Sequence, residues 1–384
     1  MVAMIKFLLL FLFFLSIFLC FGTYVLYPLL LILIGTFKKI KIQKKEITPS
    51  VSIIISAYNE EGDIAHKIKN TRNLDYPKGK VEILIGCDGS TDNTAKIVND
   101  YLEPGIKFFN FRENRGKTSV QNDLVEAAEN EILIFTDAAS FLPKDALKKI
   151  VRNFYDNRVG CVAGKMRFID TNKNITTQSQ GLYWKYEVTL RLLESMLGSL
   201  IGVDGPLYAM KKKYYVPLPP NIISDLMTPL LVLGMGKKVV LEPEAFVDEL
   251  PKDKATEEFE TRRRVALRGM TGIFTYPDLL NPKKNLYLAL QILFHKVIRW
   301  WVGPLVILNI LTCVLLATTF SWLQPVIVLY LLFLLSAFTG KIKKNTKVKI
   351  FTIPYYFCLV NFAATMAIID FFRKRQATTW KTVR

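Results

Sequence analysis

Hydrophobic and polar positions divide this chain into three blocks. From Phe7 to Gly35 no charged residue interrupts a run dominated by Leu, Phe and Ile. Those 29 residues exceed the roughly 20 that an α-helix needs to cross a bilayer. The run is longer than a signal-peptide core and lacks a small-residue cleavage site, so one tilted, uncleaved helix is expected. Three more apolar stretches close the chain, at about Trp301–Phe320, Trp322–Thr339 and Ile350–Phe372. Just before them "NLYLALQILFHKVIRWW" mixes apolar residues with His295, Lys296 and Arg299, the pattern of an amphipathic helix lying at a membrane interface.

The middle block has a different period. "VSIIISAYNEEGDI" sets a short apolar strand, Val51–Ile55, before a polar turn and a helix start. "VEILIGCDGSTDNTAKIV" repeats that plan, with a strand at Val81–Gly86 and a helix from about Asp92. "EILIFTDAASFLPKDALKKIV" repeats it again, with Pro143 and Asp145 suited to a first helical turn. Strands alternating with helices predict an α/β fold with a mostly parallel sheet between helical layers. The expected organisation is a transmembrane helix over 1–37, an α/β domain over 38–282, an interfacial helix over 283–300, about three transmembrane helices over 301–372, and a basic tail over 373–384.

Composition changes this picture little. The net charge of +18 would fit a nucleic-acid binder, but much of the Lys and Arg flanks the apolar spans. Lys38, Lys39, Lys41, Lys44 and Lys45 follow the first, and Lys341, Lys343, Lys344, Lys347 and Lys349 lie between later ones. That distribution marks loops held in the cytoplasm beside anionic lipid, with no nucleic acid required. Parity then carries "RKRQATTWKTVR" to the opposite side, against the same positive-inside tendency. Pro354, Asn361 and Asp370 inside the last span leave its insertion, and the side of the tail, open.

The five cysteines have no paired spacing, which speaks against a disulfide framework or a zinc site. With only His66 and His295 present, the chemistry falls to carboxylates, hydroxyls, lysines and arginines. Polar residues collect at the carboxyl ends of the three strands, where open α/β sheets bind ligands. Taken singly, each aspartate there is equally a turn or cap residue; three such clusters in order point to a site.

The motifs "SAYNEE", "CDGSTDNT", "ENRGK", "FTDAAS", "GVDGPLYAM" and the "SD" ending at Asp225 resemble, in this order, membrane-bound family 2 glycosyltransferases with the GT-A (Rossmann-like) fold. That group includes cellulose, hyaluronan and poly-N-acetylglucosamine synthases. The resemblance covers about Val51–Gly269. It implies a nucleotide-sugar donor, UDP-linked by family habit, and a glycan or lipid-linked acceptor. Synthesis of a cell-surface polysaccharide by an integral protein of a bacterial inner membrane, with a cytoplasmic catalytic domain, would follow.

Residue by residue, the resemblance gives Ala57, Glu60 and Asp88 contacts to base and ribose, where carboxylates accept from ring N–H and hydroxyl groups. Lys117 would be a cation near the nucleotide or its phosphates. Asp137 would hold a divalent cation, Mg²⁺ or Mn²⁺, that neutralises the departing diphosphate. The family's second acidic position is Ala139 here, which points to weak metal binding without substrate, since Mg²⁺ manages with one or two carboxylates beside substrate phosphates. Asp225 would be the base that takes the acceptor proton. Asp204, Gly205 and Trp184 would line the acceptor side. Arg264 and Arg268, four apart on one helix face, would clamp phosphate. Processive relatives carry Gln-x-x-Arg-Trp in that region, and this chain lacks both the Gln and the Trp, so processivity is not expected. Two other readings use the same residues. One is transfer to a polyprenyl phosphate, which needs no such base; the other is an inactive scaffold, favoured by Ala139 alone.

Overall fold

The computed structural model describes residues 1–168, 175–249, 254–343, 346 and 348–379. Lys344, Lys347 and the end of the basic tail from residue 380 lie outside them. Seven strands form one sheet, in the order β3-β2-β1-β4-β6-β5-β7. They are β1 (Val51–Ala57), β2 (Val81–Asp88), β3 (Ile106–Phe111), β4 (Ile132–Asp137), β5 (Val159–Phe168), β6 (Tyr208–Lys211) and β7 (Lys238–Glu249). Only β6 runs antiparallel, between β4 and β5.

The strand residues explain why the sheet is sandwiched. Ile53, Ile55, Ile83, Ile85, Ile132 and Ile134 pack into one buried layer. The alternate positions Ile54, Leu84, Leu133 and Phe135 pack into the layer on the other face. Successive strand side chains point to opposite faces, so a continuous apolar run serves both layers.

The helices of the domain are α3 (Ile64–Arg72), α4 (Thr94–Asp100), α5 (Lys117–Ala127), α6 (Ala146–Val151), α7 (Ile175–Met196), α8 (Ser224–Gly234) and α9 (Ala255–Thr275). Ahead of them, α1 (Val2–Phe21) and α2 (Tyr27–Lys38) join through a wide π turn at Gly22–Leu26. After them come α10 (Pro282–Ile292), α11 (Ile298–Ala317), α12 (Gln324–Ile342) and α13 (Lys349–Phe372). Among the described residues, four segments are long and apolar enough to cross a membrane: Ala3–Lys38, Pro282–Ala317, Ser321–Ile342 and Lys349–Phe372.

Two features of this layer differ from the sequence expectation. The amphipathic stretch before Trp301 is continuous with the span that follows, through a second π turn at Leu293–Val297. An extra residue in a helical turn shifts the phase of every later side chain, and here His295 is turned inward and buried. Secondly, α13 runs in the same direction as α9 and beside it. Phe259 meets Phe362 at 5.6 Å between ring centres, Arg263 pairs with Asp370 at 2.6 Å, and Phe274 meets Phe371 at 5.4 Å. Beyond α13, Ala377 packs on the Ala266–Met270 face of α9. The Thr378 carbonyl then lies against Gly116. The described part of the tail therefore ends on the α/β domain.

Candidate active site

Parallel pairing brings the polar strand ends together. Ser56 of β1 is in register with Asp137 of β4, and Ala57 with Cys87 just before Asp88. The chain order reverses between β1 and β4, the switch point at which such sheets form a ligand crevice. The first two turns are tied to each other: Asn59 N–H donates to Ser90 Oγ (3.0 Å), Glu60 N–H to Thr94 Oγ1 (2.8 Å), and Thr91 N–H to Asn59 Oδ1 (2.8 Å). Ala57 and Glu60 are both buried beneath this double turn.

Asp88 is fully buried. Its carboxylate accepts from the backbone N–H groups of Arg115 and Gly116, each at 2.8 Å. It thus shapes the "ENRGK" loop. Gly116, at φ +89°, holds a conformation that side chains rarely adopt. A side chain there would also collide with the Thr378 carbonyl. The turn at Gly116 lets α5 begin with Lys117, whose ammonium lies 2.5 Å from Asp137 Oδ1.

Asp225 stands in the first turn of α8, where the helix dipole favours a carboxylate. It converges with Lys117 on Gly205: a Cβ at Gly205 would lie 2.7 Å from Asp225 Oδ2 and 2.9 Å from Lys117 Nζ. A side chain there would displace the Asp225 carboxylate and the Lys117 ammonium. Burial raises the Asp225 pKa, the Lys117 and Arg268 cations lower it, and Asp137 and Asp204 raise it; the net direction is upward. Burial works against the Lys117 ammonium, but Asp137 and Asp225 outweigh it and its pKa is raised. The pair is mutually consistent: Lys117 stays charged, and Asp225 becomes a more basic carboxylate than usual.

Arg264 and Arg268 behave differently from each other. Arg268 is buried and donates to Thr118 Oγ1 (2.9 Å), Pro220 O (3.0 Å) and Ile222 O (2.8 Å). Its guanidinium pins the loop that leads into Asp225, leaving only part of its fork for a phosphate. Burial and the neighbouring Arg264 pull its pKa down to about 10. Arg264 makes no hydrogen bond or ion pair among the described residues, and burial lowers its pKa as well. It is the less committed cation of the two.

A cavity of about 480 Å³ is lined both by Asp137 and Asp225 and by residues of the apolar helices. Asp137, Asp225, Asp204 and Gly205 line one end, and Tyr24, Trp300, Val360 and Ala364 the other. Asp204 is paired with Arg191. Trp184 donates from Nε1 to Met166 O at 2.9 Å and stacks under the Arg191 guanidinium at 4.9 Å, so its ring is fixed as a wall of the cavity. Several groups of this wall were not singled out from sequence, including Arg191, Glu187, Glu258, Arg262 and Lys296. They sit on α7, α9 and the α10–α11 junction, far apart in the chain, with no local pattern to connect them.

For a metal, the described residues hold no group of three or more His, Cys, Asp or Glu. Asp137 reaches the cavity with its side chain 31% exposed, but one oxygen is engaged by Lys117. Ser140 beside it is fully buried and donates to Glu249. One accessible carboxylate is a hard oxygen donor of the kind Mg²⁺ or Mn²⁺ takes. It fits an ion that draws its other ligands from a diphosphate and water, and it does not make a self-sufficient metal site.

Residues 52–215 match the family model described as "Glycosyl transferase family 2". The beta-monoglucosyldiacylglycerol synthase of Nostoc sp. is 29% identical over 161 residues, 41% of this chain and 34% of that protein. The poly-beta-1,6-N-acetyl-D-glucosamine synthase of Staphylococcus epidermidis is 28% identical over 165 residues, 42% of this chain and 39% of that protein. The matches thus span little more than a third of these curated relatives' lengths. Among solved structures, the mannosyltransferase PcManGT from Pyrobaculum calidifontis, in complex with GDP-Man and Mn²⁺, superposes with a TM-score of 0.71. It is 19% identical and covers 95% of this chain and 100% of that one, a likeness of fold. The fold is GT-A, with candidate membrane helices on both sides of the domain. The chain carries a family 2 glycosyltransferase domain.

Proposed function

We propose that the protein is an inverting glycosyltransferase that moves a sugar from a nucleoside diphosphate donor to a hydroxyl of a membrane-associated glycan or lipid-linked acceptor. The observation that carries this reading is the position of Asp225. It shares one cavity with Asp137 at the donor crevice, and that cavity continues to helices able to span a membrane. Two of its relatives are named for making a glycolipid and a polysaccharide, products consistent with this reading.

In this mechanism the double turn after β1 and β2 receives the nucleoside. Lys117 and Arg264 face the diphosphate, and Asp137 would hold a divalent cation, which supplies charge neutralisation for the leaving diphosphate when bound. Asp225 accepts the proton of the acceptor hydroxyl as its oxygen attacks the anomeric carbon from the opposite side. Its raised pKa suits a base working near neutrality. Asp204 and the Trp184 ring position the acceptor. The catalytic domain is placed on the cytoplasmic side, where the lysines after α2 meet anionic lipid.

A panel of sugar nucleotides offered to the protein in lipid, with and without Mg²⁺ or Mn²⁺, tests this reading through release of nucleoside diphosphate. Metal-dependent release from one donor is expected. It falls about 10²–10⁴-fold in Asp225→Asn, the usual worth of a general base, and is lost in Asp137→Asn. Release that survives both substitutions would rule out these roles. Absence of release from every donor, with membrane extract as acceptor, would favour the scaffold reading instead.

A further inference from the structure

Away from the catalytic cavity, a second depression of about 590 Å³ lies where the first membrane segment meets the α/β domain. Its apolar wall is Leu33, Ile34 and Phe37 of α2, closed by Leu197 and Tyr287. It shares no lining residue with the cavity that holds Asp137 and Asp225. Lys38 and Lys238 also line it, and no Asp or Glu does. Neither ammonium has a hydrogen bond or ion pair among the described residues. A smaller pocket of about 110 Å³ continues past Lys238 and Tyr287 to Lys237 and Asn285, again without a carboxylate in its lining.

The fold fixes where Lys238 stands. It opens β7, where its N–H donates to Arg158 O at 2.8 Å and the next N–H, of Val239, donates to Gly198 O at 3.1 Å. Its stem lies flat across Gly198: a Cβ there would be 2.8 Å from Lys238 Cδ and 3.3 Å from Ile40 Cδ1. The missing side chain thus makes room for the lysine stem. Ile40 is held beside it by its own N–H, which donates to Met196 O at 2.9 Å. Two cations, one from α2 and one from β7, therefore border one apolar trough.

The depth of this trough narrows what fills it. Lys38 ends the apolar segment Ala3–Lys38, and Tyr287 lies near the start of Pro282–Ala317. Phe37, between the trough and its first lysine, is 81% exposed. Where two spanning segments enter a domain, apolar side chains face acyl chains and lysine heads reach the phosphates. A free anion would leave the apolar wall bare, and a neutral lipid would leave two cations unmatched. A phospholipid of net negative charge answers both.

We propose that this trough is a discrete site for one anionic phospholipid of the bilayer, with an acyl chain along Leu33 and Phe37 and the phosphate between Lys38 and Lys238. The lipid is a structural ligand and not an acceptor, since Asp225 lies in the other cavity. It ties the end of α2 to the first residue of β7. The assignment does not depend on the transfer reaction.

Native mass spectrometry of the full chain in neutral detergent tests it, with dioctanoyl phosphatidylglycerol, dioctanoyl phosphatidylcholine and glycerol 3-phosphate as probes. One phosphatidylglycerol should be retained at a concentration at least about fivefold below that needed for phosphatidylcholine, the worth of roughly one lysine beside an anionic headgroup. Glycerol 3-phosphate, which lacks the chains, should not be retained. Lys38→Gln combined with Lys238→Gln should abolish the preference. Lys343→Gln, at another lysine flanking an apolar span, should leave it intact. A preference that survives the double variant, or falls equally in Lys343→Gln, would overturn the discrete site in favour of diffuse surface charge. Equal retention of the two lipids by wild type would overturn the anionic assignment, and retention of glycerol 3-phosphate as strong as that of phosphatidylglycerol would make this a free-anion site instead.

Discussion

At the scale of single residues, the site is governed by which carboxylates have cations beside them. Asp137 has Lys117 in contact, whereas Asp225 has its cations at longer range and feels Asp137 and Asp204 as well. A base acts only when ionised, so on the proposed mechanism transfer should increase as pH rises through the Asp225 pKa, which burial raises. Asp204→Asn removes one of the charges that raise it, and the acidic limb of kcat/KM should move to lower pH. A pH–rate profile of that variant checks the sign; a limb that moves upward would contradict the assignment. Gly205 gives a second expectation. Gly205→Ala places a methyl group against both Asp225 and Lys117, and kcat/KM for the donor should drop at least about tenfold, measured as nucleoside diphosphate release.

Much of this was legible in the residues themselves. The strand-end acids and the glycine of "ENRGK" sit in local patterns whose meaning follows from the element before them, whereas the role given to the acid opening α8 comes from the family resemblance and not from its local pattern. The pairing of Asp204 with Arg191, and the use of the Arg268 fork on backbone carbonyls, were not legible. Both depend on side chains meeting across elements with nothing in either local sequence to announce it. Ala139 is the opposite case: the departure from the family pattern is plain in sequence, and the structure leaves one carboxylate facing the cavity at that turn.

At the scale of elements, α9 is the part that ties donor, base and membrane layer together. Its Arg268 holds the loop before α8, its Glu258 and Arg262 face the cavity, and its outer face receives α13. Arg268→Met removes the donor to Thr118 Oγ1 and Pro220 O, and leaves Ile222 O with the bond from Thr118 Oγ1 alone. Hydrogen bonds from a charged group are worth about 1.5–3 kcal/mol, so a loss of stability of about 2–4 kcal/mol is expected, read as a lower midpoint of thermal unfolding in detergent. If Arg268 were chiefly a phosphate clamp, the same variant would keep its midpoint and lose donor affinity. The π turn at Leu293–Val297 shows why sequence periodicity misplaced this region. The stretch that mixes His295, Lys296 and Arg299 with apolar residues reads as an amphipathic interfacial helix, but a π turn is not visible in such a pattern, and His295 within it is buried.

At the scale of the whole molecule, the conflict over the tail resolves through α13. Its length and apolar content are those of a spanning helix, but it lies along α9 and delivers Ala377 and Thr378 to the α/β domain. The described tail residues therefore lie on the side of the α/β domain. A single cysteine placed at Ala377, in a variant with Cys20, Cys87, Cys161, Cys313 and Cys358 replaced, should react with an impermeant maleimide only in vesicles that expose the catalytic domain. Labelling from the opposite face would mean that α13 crosses the bilayer fully.

The contact between the first and the later membrane helices has an implication for biosynthesis. Ser16 of α1 donates to Phe13 O within its own helix, and Asn309 of α11 donates to that carbonyl at 2.9 Å and to Ser16 Oγ at 2.7 Å. The whole α/β domain lies between these two residues in the chain. During translation α1 must therefore reside in the lipid without its mate, its hydroxyl satisfied locally, until the ribosome has finished the domain and α11 has followed. A helix as apolar as α1 tolerates that wait, and the bonds from Asn309 can form only once the domain between them has been synthesised.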